Sequence, residues 1–138
     1  MAQLTISEVA KQVGLKPSAI RYYEQIGILP KPQRQSGQRR YDNTVLYRLS
    51  LVQRSRQMGF TLDEIHRLFF GFRSSTPISE RWKKLSQRKL AELDVLAEQI
   101  KSMQLLLRSM AEKCSCDALD QCGKGIFLNT CCHNKANL

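Results

Sequence analysis

Apolar residues recur at helical spacing in several short runs before settling into one long seam. Ile6, Val9, Ala10 and Val13 line one face of a stretch that Thr5-Ile6-Ser7-Glu8 opens and Gly14 closes. In that opening the Thr5 hydroxyl can accept from the Glu8 amide while the Glu8 carboxylate reaches back, a reciprocal cap that starts a helix. Pro17 suits a first helical position, and the stretch PSAIRYYEQIG runs to a second terminating glycine, Gly27. Two short helices joined through Gly14-Leu15-Lys16 outline a helix-turn-helix. Pro30 and Pro32 then interrupt helix, and the chain turns at Ser36-Gly37 and returns through Gln38 to Tyr41. That pattern predicts a short β-hairpin, or wing, carrying Lys31, Arg34, Arg39 and Arg40. A third helix is expected from about Asp42 to Met58. A second reciprocal cap, Thr61-Leu62-Asp63-Glu64, opens a fourth that ends near Gly71.

The longest predicted element runs from about Pro77 to Lys113. Within it Leu93, Leu96, Ile100, Met103, Leu107 and Met110 alternate steps of three and four, the signature of a coiled-coil seam. Towards its start Ser86 and Lys89 break the seam, and Trp82 stands beyond them. Four short helices offer no partner of matching length, so a dimerisation helix is expected; the competing reading is a helix packed back on its own domain. The expected organisation is a DNA-binding domain at 1–74, a dimerisation helix at 75–113 and a cysteine-rich loop and tail at 114–138.

Charge sharpens this picture. The 138-residue chain carries a net +10, and residues 1 to 58 hold ten Lys or Arg against Glu8, Glu24 and Asp42, or +7 of the total. An anionic partner is therefore expected at the N-terminal half, and helix-turn-helix geometry points to double-stranded DNA. Ser18, Arg21 and Tyr22 share one face of the second helix. Arg21 can bridge to phosphate or guanine, and the Ser18 and Tyr22 hydroxyls can donate to phosphate; Tyr23, one step round, belongs partly to the core. The wing cations, with Lys16 at the helix start, would follow the phosphate backbone, where charge gives affinity more than sequence choice. No stretch of 18 uninterrupted apolar residues occurs and no export signal is evident, so no membrane association and a cytoplasmic location are expected.

All five cysteines lie at or beyond position 114: Cys114, Cys116, Cys122, Cys131 and Cys132. A reducing compartment disfavours a disulfide. A structural zinc site wants four ligands, and Cys114, Cys116 and Cys122 supply three, with His133 or the Cys131-Cys132 pair as fourths. A catalytic thiol would need a base, and neither His66 nor His133 stands in a telling context. No constellation of acid, base and nucleophile is present, so an enzyme is not expected. The remaining reading is a regulatory site for a soft metal ion or an iron–sulfur cluster.

ISEVAKQVGLKPSAIRYYEQIGIL, then SGQRRYD, then RSRQMGFTLDEI, in this order and spacing and followed by a coiled-coil helix, resemble the MerR family of transcriptional regulators over residues 4 to 112. The resemblance implies a mainly α fold: a winged helix-turn-helix DNA-binding domain, a long antiparallel coiled-coil dimerisation helix and a C-terminal cysteine loop. It implies a homodimer that distorts promoter DNA whose −35 and −10 elements lie too far apart for RNA polymerase. By matching positions it implies Arg21, Tyr22, Tyr23, Arg39, Tyr41 and Arg56 as DNA contacts.

It also places effector choice at the cysteines. The seven residues between Cys114 and Cys122 match the copper-responsive branch, and two thiolates suit a soft monovalent ion such as Cu(I) or Ag(I). Sensors of divalent ions usually carry a cysteine where this chain has Ser79, which can equally serve as a helix-start hydroxyl. Cys116 departs from that branch. The spacing C-x-C-x5-C also resembles the last three ligands of the SoxR-type [2Fe-2S] sensors, whose fourth cysteine corresponds to Ala111 here. A [2Fe-2S] cluster is thus the alternative cofactor, and a three-thiolate site for a divalent ion such as mercury, lead or cadmium is a further one.

Overall fold

The computed structural model describes residues 3–130. Its elements are α1 (Ile6–Val13), α2 (Pro17–Gln25), β1 (Gln33–Gln35), β2 (Gln38–Arg40), α3 (Asn43–Gln57), α4 (Leu62–Phe70), α5 (Ile78–Lys113) and α6 (Leu119–Phe127). The expected mainly α architecture, with helix-turn-helix, wing and long helix, is the architecture found. The chain divides into two compact units between Lys89 and Leu90, a point that α5 runs through.

In the first unit local chemistry sets the boundaries. At the start of α1 the Thr5 amide donates to Glu8 Oε2 at 2.8 Å and the Glu8 amide donates to Thr5 Oγ1 at 3.2 Å. Gly14, at φ 72°, ends the helix in the left-handed region that a side chain would resist. β1 and β2 pair antiparallel with Arg34 opposite Arg39. Their two-residue turn holds Ser36 at φ 50° and Gly37 at φ 80°, the twist that lets so short a hairpin close. Two backbone hydrogen bonds between Leu4 and Tyr41, of 2.7 and 2.9 Å, tie the base of the wing to the N-terminal segment. Asp42 caps α3 by accepting from the Thr44 amide at 2.8 Å.

Two apolar clusters sit under these elements. Val9, Ala10, Ile20, Leu29, Tyr41, Val45 and Leu49 make one; Ile28, Val52, Phe60 and Ile65 make the other. Ile28 and Leu29, consecutive residues held by hydrogen bonds to the Tyr23 carbonyl, serve different clusters. Trp82 and Leu85 of α5 pack on the second cluster, with the Trp82 ring edge-on to Phe60 at 5.7 Å.

The first three turns of α5 hold both ends of α4. Arg81, buried at 8% exposure, donates from Nη1 to the Leu68 and Phe69 carbonyls at 3.1 and 3.2 Å, and from Nε to Thr76 O at 3.0 Å. It thereby satisfies carbonyls that the C-terminus of α4 leaves without helical partners. At the other end Lys89 Nζ donates to Glu64 Oε1 at 2.8 Å and lies 5.3 Å above the Phe60 ring. Glu64 is also the reciprocal partner of Thr61 in the α4 cap. The break in the seam at Lys89 is thus the mark of a helix that serves its own domain up to that point. For residues 78–89 the packed-back reading holds; from Leu90 onward apolar positions are exposed, among them Leu96, Ile100, Met103 and Leu107.

Burial pushes the Glu64 carboxyl up, but the hydrogen bonds from Lys89 and from the Thr61 backbone and side chain outweigh it and hold the group below its ordinary range. A carboxyl depressed by folding contributes stability at neutral pH that is lost as pH falls through the folded-state pKa. Glu64→Gln, which keeps a capping side chain but not the charge, should cost about 1–2 kcal/mol at pH 7. In urea melts against pH, the gap from the parent protein should close once Glu64 is protonated. A gap that persists unchanged in acid would refute the ion-pair account.

The second unit contains α5 from Leu90, a short loop at 114–118 and α6. The Cys114 amide donates to Met110 O at 3.1 Å, so the thiol leaves from the last turn of α5. Asp117 N donates to Gln121 Oε1 at 3.1 Å, closing the loop onto α6. Sequence reasoning missed α6: Ala118 provides no side-chain cap, and Gly123 and Gly125 lower helix propensity within it.

Candidate functional site

A cationic groove of about 640 Å³ opens between α2 and the wing, lined by Arg21, Glu24, Gln25, Lys31, Pro32, Arg34 and Arg39. Ser18, Arg21 and Tyr22 are exposed on α2, and Lys16 is exposed at its N-cap. The helix therefore offers the expected face, with Tyr22 at 49% exposure beside Tyr23 and the two rings 6.2 Å apart. Tyr23 is half-buried against both apolar clusters.

Strand alternation separates the two wing arginines. Arg39 lies in the groove opposite Arg34, whereas Arg40 lines a hollow with Gln33, Tyr41 and Asp42. Arg40 Nε is buried there and, among the described residues, has no hydrogen-bond partner. Tyr41 lies in the core at 2% exposure, and its hydroxyl donates to Glu24. Burial, then that hydrogen bond to a carboxylate, pushes the phenol well above its ordinary range. Glu24 also accepts from Arg39 Nε at 3.2 Å, so this acid, which the sequence reading did not single out, fixes the wing to α2. Its one legible signal is position: it follows Arg21 by three residues, on the same side of the helix. Arg56 is exposed in the last turn of α3, with Nη1 3.4 Å from Phe60 O.

The second site lies in the other unit. The Sγ atoms of Cys114, Cys116 and Cys122 all lie within 4.8 Å of one another. Cys114 is the most exposed of the three; Cys116 comes from the loop and Cys122 from α6, whose amide donates to Ala118 O at 3.1 Å. The Cys116 amide and thiol donate towards Cys114, with help from the Cys122 thiol, and hold the Cys114 thiol below its ordinary value. Burial, reinforced by the hydrogen bonds and charge of Cys114 and Cys122, pushes the Cys116 thiol up to about 11. Cys114 is thus readier than Cys116 to act as a thiolate, the form that binds soft metals. Cys131, Cys132 and His133 lie outside the described residues. His66 is exposed on α4, stacked on Phe70 at 4.9 Å, and Ser79 is exposed in the first turn of α5.

Residues 4–70 match the family described as MerR HTH family regulatory protein, and residues 46–110 match the one described as MerR, DNA binding. The HTH-type transcriptional regulator CueR of Salmonella typhi is 37% identical over 134 residues, covering 96% of this chain and 97% of that protein. The chain belongs to the MerR family. CueR of Escherichia coli O6:H1 is 35% identical over 96% of this chain and 99% of its own length. Among solved structures, the regulator PbrR691 from Ralstonia metallidurans CH34 in complex with lead(II) superposes with a TM-score of 0.74 at 27% identity, covering 91% of this chain and 98% of that one. This MerR-family protein is a DNA-binding transcriptional regulator, not an enzyme, and its three-thiol cluster fits thiolate coordination of a metal. No described helix is long and apolar enough to cross a membrane.

Proposed function

We propose that the effector is a soft monovalent ion, Cu(I) in the first place, held by the thiolates of Cys114 and Cys122. The observation that carries this is the convergence of these two sulfurs, with seven residues between them in sequence, to within 4.8 Å at the end of α5. Two sulfurs across a linear ion at about 2.3 Å from each stand about 4.6 Å apart, so closure on one ion needs little movement. The copper-branch spacing and Ser79 at the start of α5 support the same choice. The lead(II) bound by PbrR691 supports soft-metal chemistry in this fold more broadly. A [2Fe-2S] cluster takes four protein ligands, and the described thiols number three.

Membership of the family supports the rest of the reading. The protein acts in the cytoplasm as a homodimer, its seam from Leu93 to Met110, exposed as far as Leu107, covered by a second copy. The parts are a DNA-binding domain at 1–74, a dimerisation helix at 75–113 and an effector segment at 114–138. The dimer sets two α2 helices on a palindromic promoter, with Lys16, Ser18, Arg21, Tyr22, Arg39 and Arg56 as the DNA-facing set; Tyr23, half-buried, and Tyr41, in the core, back that surface, and Arg40 stands on the other face of the wing. Metal binding then bends and untwists that DNA, at a cost of a few kcal/mol, and brings the −35 and −10 elements into phase for RNA polymerase. In a promoter–reporter assay, Cu(I) or Ag(I) should raise output several-fold, and Zn(II) at the same free concentration should not. Equal output with and without either monovalent ion would reject the proposal.

A further inference from the structure

Cys114 and Cys122 suffice for a monovalent ion, which leaves the third sulfur of the cluster unused. We infer that Cys116 is a metal ligand in its own right, and that with it the loop accepts a thiophilic divalent ion in a three-sulfur site supplied by a single chain. This rests on the reading that the cluster is the effector site.

Geometry carries the inference. Three sulfurs about 2.3 Å from an ion in a trigonal plane stand about 4 Å apart. All three pairs of sulfurs here lie within 4.8 Å, so a trigonal site is reached by shifts of under about 1 Å per pair. The backbone explains the convergence. Cys114 and Cys116 are two apart in the stretch between α5 and α6, and the Cys116 amide and thiol both donate towards Cys114. Cys122 comes to the same point from α6, on a turn fixed by its amide bond to Ala118 O, and the Asp117–Gln121 hydrogen bond holds the loop against that helix. The three donors therefore come from the end of α5, the loop and α6, and the amides of Cys114 and Cys122 are held by main-chain bonds that do not depend on the thiols.

Charge points the same way. Two thiolates around a monovalent ion leave the site at −1, and three thiolates around a divalent ion leave it at −1 as well. One loop can therefore present the same net charge with either class of ion, and no carboxylate has to join. The Cys116 thiol as well as its amide donates towards Cys114, so serine, which keeps a donor at that position, is the replacement that removes the sulfur with least disturbance of the loop.

The test uses the purified full-length protein under anaerobic conditions, with Hg(II) and Cu(I) as probes. X-ray absorption counts the sulfurs, and competition with a chelator gives the affinity. The parent protein should hold Hg(II) through three sulfurs. Cys116→Ser should hold it through two, at least about tenfold more weakly, while Cu(I) affinity changes less than about threefold. The double variant Cys131→Ser/Cys132→Ser should keep all three sulfurs. Two sulfurs around Hg(II) in the parent protein, or three retained in Cys116→Ser, would overturn the role of Cys116 and leave the Cu(I) proposal standing. Loss of the third sulfur in the double variant would also overturn it, by moving the ligand to the tail. Hg(II) on three sulfurs with no Cu(I) uptake would support Cys116 and reject the monovalent effector instead.

Discussion

Cys114→Ser should reduce metal-induced transcription to the uninduced level while leaving promoter binding intact. Serine keeps the size of the side chain and a hydrogen-bonding group, so the loop at 114–118 should hold: its backbone bonds run from the Cys114 amide to Met110 O and from the Cys122 amide to Ala118 O. What is lost is the sulfur. A hydroxyl stays protonated at neutral pH and is a hard donor, whereas the Cys114 thiol is held below its ordinary value by hydrogen bonds from Cys116 and Cys122. Losing a ligand outright should cost at least as much as losing a second-sphere support, so an affinity drop of about 100-fold or more is expected. Reporter output against free Cu(I), with a gel shift on the same variant, makes the measurement. Induction at even half the parent level would move the effector site away from Cys114.

The helix boundaries were legible because their causes are local. Thr5 with Glu8, Thr61 with Glu64, Gly14, and the Ser36-Gly37 turn each act within four residues, and each is found where expected. What escaped are pairings across long stretches of chain. Arg81 caps the end of α4 from thirteen residues away, and Lys89 joins Glu64 from twenty-five residues away. In sequence, Lys89 reads only as a defect in an apolar seam. Glu24 is similar: nothing near it shows that it will hold Arg39 and Tyr41 together. The cysteines were legible as a cluster from spacing, but the placement of Cys122 on α6 was not, since glycines at 123 and 125 disguise that helix. Arg39 and Arg40 look like a single basic patch in sequence and part to opposite faces because a strand alternates.

Arg21→Ala should abolish promoter binding in practice, and in the proposed homodimer the effect doubles. Arg21 is exposed on α2 and lines the groove with Lys31, Arg34 and Arg39, where a bidentate guanidinium can meet guanine or phosphate. Each such contact is worth about 1–3 kcal/mol, and two subunits lose about 2–6 kcal/mol together, roughly 30-fold to more than 10,000-fold in affinity. Arg34→Ala sets the contrast. Arg34 sits on the wing, with Nη1 bonded to Gly37 O at 3.1 Å, and in the proposed complex its charge should lie along the backbone of the duplex. Its loss should weaken all sequences alike and lower the slope of log affinity against log salt by about one per subunit. Gel-shift titrations at several salt concentrations, on the promoter and on unrelated DNA, separate the two. Arg21→Ala should lose promoter affinity far more than affinity for unrelated DNA, whereas Arg34→Ala should lose both in parallel. If Arg21→Ala also lost both in parallel, Arg21 would be a phosphate contact, and base readout would have to come from Ser18 or Tyr22. If Arg21→Ala bound the promoter as tightly as the parent, the α2 face would not be the DNA-reading surface at all.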